Sequence, residues 1–310
     1  MTYSKRIFGA VMVKAANANY NADFTGQPRT LPNGVVYATD KAMKYAVKNF
    51  LKENQPTEKV FYFKRFNEDF IPYSLDDAYT AAFPENKEAK DRKIVAKDLL
   101  SCIDIRLFGA TFARKSKNNN VSISVHGPVQ ITHGINIWHE NNFYSEQIMS
   151  PFRNPNEASE DNTATTLGRQ SRLHEGHYLH HFSVNPKNIE EVVNLAGKDA
   201  PNLSADDISK LKEALQKGVT YYDSAAKAGC ENELLVWVTL KENSKLVLPN
   251  FTQLMKMSKE KAEGKVQLDL SELKAVIDRN SSDIESVEIY LNKASLVLTN
   301  APQIAVIKDI

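Results

Sequence analysis

Apolar positions recur along this chain with two periods, and the switch between them marks where strands give way to helices. Over residues 5–15 they alternate loosely around Ile7, Val11 and Val13, which predicts a buried strand. Residues 16–37 then break every period with Asn, Pro and Gly. That is too much turn chemistry for a helix, and the connector is unusually long for a compact domain, the kind that tends to be functional. Thr39 and Asp40 offer cap oxygens to the next segment, where Ala42, Met43, Ala46, Val47, Phe50 and Leu51 fall at helical spacing.

Residues 60–66 have the pattern of a short strand. Residues 75–100 are charged, Ala-rich and mostly helical in pattern, broken at Pro84, and form the bulk of a helical insertion over 67–104. Residues 105–113 and 121–132 are strand-like on either side of the turn-rich RKSKNNN, which predicts a hairpin. From 138 to 172 the apolar period dissolves into Asn, Pro, Ser, Thr and Glu, which a compact core would not keep inside. Strand character returns at 177–184. Ser204, with Asp207 at the capping-box position, opens a helix to 217; a strand at 233–240, a helix at 271–278 and a strand at 284–291 follow. The order strand, helix, paired strands, helix, strand predicts an α+β fold of the split βαβ, ferredoxin-like kind, in a single domain over 1–310.

Composition narrows the classes. With 310 residues, 42% of them apolar, the chain can bury a real core, and its apolar runs fall far short of the roughly 18 residues of a membrane helix. The first residues do not read as a signal peptide, so a cytoplasmic location with no membrane partner is expected. Cys102 and Cys230 lack CxxC spacing and are expected in the core. A formal net charge of +1 makes no case for a polyanion partner, but its distribution does: residues 1–60 carry nine Lys/Arg against four Asp/Glu.

Within that basic segment, Lys41, Lys44, Lys48 and Lys52 share one face of the first helix. Such a stripe is either a phosphate track or an ordinary solvated face. Asn17, Asn19 and Asn21 alternate just after the first strand, where their amides could hold sugar or phosphate oxygens or simply form turns. HGPVQ, residues 126–130, places Gly127 in a strand-like run, as at a bulge, a ligand approach or an edge irregularity. All seven histidines lie between His126 and His181, four of them in HEGHYLHH. The spacing is not H-E-x-x-H, so surface or RNA-facing histidines are expected rather than a metal site. No P-loop, GxGxxG, GxSxG or Cys–His pattern is present, no cofactor is expected, and nothing compels catalysis.

NANYNAD after the first strand, PRTLPNGVVYATDKAMKYAVKNFL, DIRLFGATFA, SVHGPVQITHGINI and TTLGRQSRLHEGHYLHHFSVNP follow one another in this chain. In order and spacing these blocks resemble the backbone subunit of type I CRISPR Cascade complexes, a RAMP-superfamily protein, most like the I-B branch and similar to I-C. The resemblance implies an RRM-like palm, a helical insertion and an extended thumb over 138–172. It implies that further copies of the chain oligomerise along the spacer of a CRISPR RNA beside other Cascade subunits. The guide then pairs with target DNA, while protein contacts follow backbone and shape.

By the same resemblance, Asn17, Asn19, Thr39, Lys44 and Lys48 lie beside the RNA backbone, joined by Lys41 of the stripe, with Asp40 as a cap. Gly127 and Gln130 match a G-x-V-Q strand, and Arg106 matches a core-strand position facing RNA or a neighbouring copy. Phe143, Ile148, Met149 and Phe152 are thumb wedges that displace a base, with Arg153 and Arg169 as phosphate partners. Relatives commonly read N-P-N-G-D in the first loop. Type III relatives carry a catalytic Asp there; the alternative function is therefore a metal-dependent ribonuclease using Asp23 or the histidine cluster. The surroundings of Asp23 match type I, and no catalytic residue is assigned.

Overall fold

The computed structural model describes residues 2–116, 119–138, 142–153 and 164–310. Strand β1 (Ile7–Ala18) leads through a long loop and the short β2 (Tyr37–Ala38) into α1 (Asp40–Asn54). Helices α2 (Leu75–Ala82), α3 (Arg92–Leu100) and α4 (Ile103–Phe108) precede a hairpin of β3 (Gly109–Ser116) and β4 (Asn119–His126). Two short strands follow, β5 (Val129–Ile131) and β6 (Gly134–Asn136), then β7 (Phe143–Arg153) and the long β8 (Ala164–Val184). Helices α5 (Lys187–Ala196) and α6 (Ala205–Tyr221) lead to β9 (Cys230–Leu240). The last part holds β10 (Lys256–Ala262), β11 (Lys265–Asp269), α7 (Ser271–Arg279), β12 (Ile284–Leu291), β13 (Leu296–Thr299) and β14 (Ala305–Asp309).

One large sheet runs in the order β14-β12-β9-β1-β8-β6-β2, with β5 and β7 also paired to β8. Its centre interleaves two βαβ units, β1-α1-β6 with β8 between the strands, and β8-α6-β9 with β1 between them. All pairs there are antiparallel: Val11 faces His180 on one side and Leu235 on the other. Alternate residues of β1 enter different cores. Ile7, Val11, Val13 and Ala15 pack with Met43, Val47, Leu51 of α1 and Leu211, Leu215 of α6. Phe8, Ala10 and Met12 pack with Phe251, Leu268, Leu273, Ile277 and Leu296 of the C-terminal layer. Both faces of the sheet are thus covered, which is why β1 reads as an apolar run with only loose alternation.

Several sequence expectations are corrected. The strand expected at 105–113 is α4 followed by β3. Its alternating look arises because Ile103 through Leu107 are all buried, polar Asp104 and Arg106 included. Gly109, with φ 69° and ψ −177°, ends the helix in a conformation that a side chain strongly disfavours. The residues at 60–66 form no strand; they are a connector that bends at Tyr62 and Phe63 and is held by the Asp104 carboxylate, which accepts the N–H groups of Phe61 and Tyr62 at 2.8 Å each. Residues 143–153 and 164–184 make a long antiparallel ribbon, Phe143 opposite Leu173 and Ile148 opposite Gly168. Of the expected thumb at 138–172, residues 139–141 and 154–163 lie outside the described residues.

His126 and His174 are exposed as expected, but two histidines depart from expectation. His177 and His180 are fully buried, neither on the surface nor free to face a ligand. His177 Nδ1 lies 2.6 Å from the equally buried Glu233 carboxylate. His180 Nδ1 donates to the Thr132 carbonyl at 2.9 Å and Nε2 faces the Tyr20 hydroxyl at 3.4 Å. Both cysteines are buried and unpaired, their thiols pushed up to about 12 by burial.

Arg106 leaves the list of exposed candidates too. It is 8% exposed; its guanidinium grips Asp207 through Nε (3.1 Å) and Nη2 (2.7 Å) and reaches Glu58 at 3.1 Å and the carbonyls of Leu100 and Ser101. Asp207 is at the same time the capping-box residue of α6, accepting from the Ser204 N–H. Burial opposes the guanidinium charge, but Asp207 and Glu58 outweigh it and raise its pKa.

Two outcomes follow. Arg106→Ala strands a buried carboxylate and is expected to lower stability by about 3–5 kcal/mol, measured by urea unfolding; an unchanged midpoint refutes the structural role. Burial lowers the His180 pKa to about 4. The unfolded chain therefore binds the extra proton first as pH falls below the ordinary 6.5, and stability drops between those values by roughly 3 kcal/mol. Urea midpoints across that window are expected to fall more steeply for the wild type than for His180→Gln; parallel curves contradict the assignment.

Candidate nucleic-acid interface

Thr39 caps α1: its Oγ1 accepts from the Ala42 N–H at 3.3 Å, while its own N–H and hydroxyl both reach the Asn21 side-chain oxygen at 2.9 and 3.0 Å. Asn21 thereby ties the loop after β1 to the helix start. Asp40 in the first turn lies 3.2 Å from Lys44, 3.6 Å from Lys41 and 3.6 Å from His133. Burial pushes its pKa up, yet Lys44, Lys41 and His133 leave it lowered on balance.

The four lysines of the α1 stripe do not form an even ladder. The Lys41 side chain is 84% exposed, whereas that of Lys44 is 19% exposed and its ammonium sits 5.6 Å from the Phe108 ring centre. Lys48 donates to the Tyr62 carbonyl at 2.6 Å, and desolvation lowers its pKa despite nearby Asp104. Lys52 pairs with Glu53 and lies over Phe63. Cationic character therefore stands outermost at Lys41, sinks into the protein at Lys44 and Lys48, and returns to the surface at Lys52, where Glu53 pairs with it.

Two concavities of about 530 Å3 each flank Lys41. One is lined by Lys44, Lys48, Tyr62, Phe108 and residues 109–111, with the carboxylate residues Asp40 and Asp104 also in its wall. The other holds Asn21, Arg29, Thr39, Tyr45, Tyr222 and Lys227. Tyr45 stacks on Phe63 at 4.9 Å with 21° between planes and meets Tyr222 edge-on at 5.2 Å. Lys227 lies 5.9 Å from the Tyr222 ring centre and donates to the Tyr20 carbonyl. Cations interleaved with aromatic faces are the ingredients of a single-strand nucleic-acid surface, one for phosphates and the other for bases.

Tyr45, Phe63, Tyr222, Arg29 and Lys227 were missing from the sequence reading. Tyr45 carried a signal, since it lies four residues after Lys41 and three before Lys48 and so shares their face. Lys227 and Tyr222 carried none, because only the fold brings them to α1.

The other expected residues fall in different places. Asn17 is exposed at φ 48°; its carbonyl accepts from Arg172 at 3.0 Å and its side-chain oxygen from the Tyr144 hydroxyl at 3.4 Å, so it joins the rim to the β7–β8 ribbon. Asn19 is 2% exposed and clamps Gly26 and Ser171 carbonyls at 3.2 Å each, which removes it from any surface. Gly127 is buried against the Phe108–Gly109 backbone, where a Cβ would come within 2.0 Å; its closeness serves the chain itself, not a ligand. Gln130 is exposed with its amide on the Gly127 carbonyl. On the ribbon, Phe143 (39%), Ile148 (44%), Met149 (63%) and Phe152 (77%) are all exposed, as is Arg169. Arg153 closes β7 opposite Ala164, and its side chain lies outside what the structure describes.

Asp23 is not poised as a base or a metal ligand: its carboxylate accepts from the Thr25 N–H and hydroxyl and the Gln27 N–H at 2.7–3.0 Å, and those bonds hold its pKa down. Among the described residues no three His, Cys, Asp or Glu side chains converge in a way that could hold a metal ion, and no helix is long and apolar enough to cross a membrane.

In fold the chain is similar to one in the solved structure "CRISPR RNA-guided surveillance complex, pre-nicking", with a TM-score of 0.55 at 12% identity over 98% of this chain and 96% of that one. A second, "CRISPR RNA-guided surveillance complex", aligns with a TM-score of 0.49 at 12% identity over 96% and 95%. Among curated proteins none matches in sequence. The family model "CRISPR-associated protein Cas7" matches residues 5–278, nearly the whole chain, and the protein therefore belongs to the CRISPR-associated Cas7 family.

Proposed function

We propose that this chain is a non-catalytic backbone subunit of a type I CRISPR surveillance complex. It binds the guide RNA along the α1 rim, repeats along the spacer as further copies, and presents the guide to target DNA beside other Cascade subunits. The observation that carries this reading is the rim itself: an exposed Lys41 between two concavities that join Lys44, Arg29 and Lys227 to the faces of Tyr45, Tyr62 and Tyr222. Family membership over residues 5–278 supports the biological setting.

Such a rim follows a ribose-phosphate chain without reading bases, since every base has a π-face and every nucleotide a phosphate. Asn17, Thr39, Lys41 and Lys44 are the backbone contacts of this reading, and Lys48 acts from behind by holding the Tyr62 wall. Phe143, Ile148, Met149 and Phe152 on the ribbon serve as apolar wedges between bases, with Arg169 beside them for a phosphate. Asp23 shapes the loop.

Lys41→Ala with Lys44→Ala is expected to weaken RNA binding and to shallow the log–log salt slope by about 1.4, roughly 0.7 per lost phosphate contact. Fluorescence anisotropy over a KCl series reads this; an unchanged slope takes the rim out of the reading. Expressed with its partner subunits and a CRISPR array, the protein is expected to copurify with RNA of defined length, whereas a nucleic-acid-free monomer refutes the scaffold role. Target RNA incubated with divalent metal is expected to remain intact; cleavage lost in Asp23→Ala establishes the ribonuclease alternative instead.

A further inference from the structure

At the end of the sheet opposite the α1 rim lies a second basic concavity. Ile7 opens β1 there opposite Val184 of β8 and Thr239 of β9, so the residues before β1 and after β8 and β9 come together. They enclose a cavity of about 390 Å3 lined by Ser4, Arg6, Asn185, Lys187, Lys241, Asn243, Ser244 and Lys245. Four cations line it and no carboxylate does. None of the four is in an ion pair among the described residues, whereas the acids nearby are each taken up: Glu242 by the Ser4 hydroxyl (2.9 Å), Asp283 by the Ser244 hydroxyl (2.7 Å) and Glu285 by Lys5 (2.7 Å).

Two further features sharpen the donor set. The Arg6 guanidinium lies 4.9 Å from the Phe8 ring centre, and its Nε is fully enclosed with no acceptor from the protein. Lys187 is the first residue of α5, whose next N–H groups, of Asn188 and Ile189, bond the Asn185 and Pro186 carbonyls, so the helix contributes its lysine to the cavity. A planar guanidinium and three ammonium groups together match the several oxygens of a phosphoryl group. The volume, set against about 30 Å3 per water molecule, accommodates two linked phosphoryl groups.

We propose that this cavity is a second phosphate-binding site, separate from the α1 rim, and that it takes two adjacent phosphoryl groups. A nucleic-acid backbone and a free oligophosphate share that chemistry. Isothermal titration of the full chain with inorganic diphosphate tests it. The wild type is expected to show one saturable site, weakened about tenfold or more in Lys241→Gln/Lys245→Gln and in Lys187→Gln. Lys41→Gln/Lys44→Gln is expected to titrate as the wild type does, and unfolding temperatures of all variants check that they fold. In that rim-depleted background, displacement of diphosphate by a short thymidine oligonucleotide assigns the site to a nucleic-acid strand; displacement by ATP alone assigns it to free oligophosphates. A flat wild-type titration, or one that the rim variant loses and the cavity variants keep, overturns the proposal. Guide RNA copurifying with a chain that gives a flat titration sinks this second site and leaves the backbone reading standing.

Discussion

The burial of β1 on both faces is the constraint from which the rest of the molecule follows. Its residues Ile7, Val11, Val13 and Ala15 anchor α1 and α6, and Phe8, Ala10 and Met12 anchor the C-terminal layer. Each fully buried aliphatic side chain in such a strand is worth about 1.5–3 kcal/mol before chain entropy is counted, so neither layer can shift without loosening the other. The rim at the start of α1 inherits this rigidity, because Asn21, a few residues beyond the end of β1, bonds the helix cap directly. The centre of the sheet, covered on both sides, also offers no flat face to a ligand. Chemistry is displaced to the ends of the strands, where loops and helix termini meet.

Charge along α1 shows how burial redistributes a sequence pattern. Four lysines at helical spacing suggest equal partners, yet Lys41 is the most exposed of them, Lys52 is turned to Glu53, and Lys44 and Lys48 are drawn into the protein. Lys48 is turned to a backbone carbonyl beside the buried Asp104, where the low-dielectric surroundings disfavour its charge. A residue in that position stabilises the wall of a site more than it attracts a distant phosphate. The same distinction separates Arg106 from Lys41: both are basic, but one is consumed by Asp207 inside the protein.

Local signals were legible in the sequence. The Thr39 cap, the apolar stripe of α1, and the Ser204–Asp207 capping box depend on residues within a few positions of one another, and all three are formed as read. Signals that depend on tertiary burial were not. The start of the stretch 105–113 looked like a strand because Ile103 through Leu107 of α4 are all enclosed, and His177 and His180 of HEGHYLHH looked exposed although β8 runs beside the centre of the sheet. Strand β7 and the part of β8 before 177 escaped as strands because several apolar side chains of the ribbon face solvent, which erases the period. Helix α5 and the strands β10, β11, β13 and β14 were not anticipated either; most are short, and β10, β11 and β13 form a small sheet of their own while β14 pairs with β12 at the edge of the large one. At the rim, Thr39 and Lys41 were found because they lie on one helix, while Lys227 and Tyr222 arrive from nearly two hundred residues away.

The central position of β1 carries a cost during synthesis. Both of its neighbours, β8 and β9, lie far downstream, with Val11 paired to His180 and Leu235. At about 5–20 residues per second, a ribosome leaves that apolar strand without its second partner for roughly 10–45 s. Pairings this distant in sequence close slowly as well. The nascent chain thus spends its longest vulnerable interval with its most aggregation-prone segment uncovered, and the yield of folded protein depends on what shields β1 until translation passes β9.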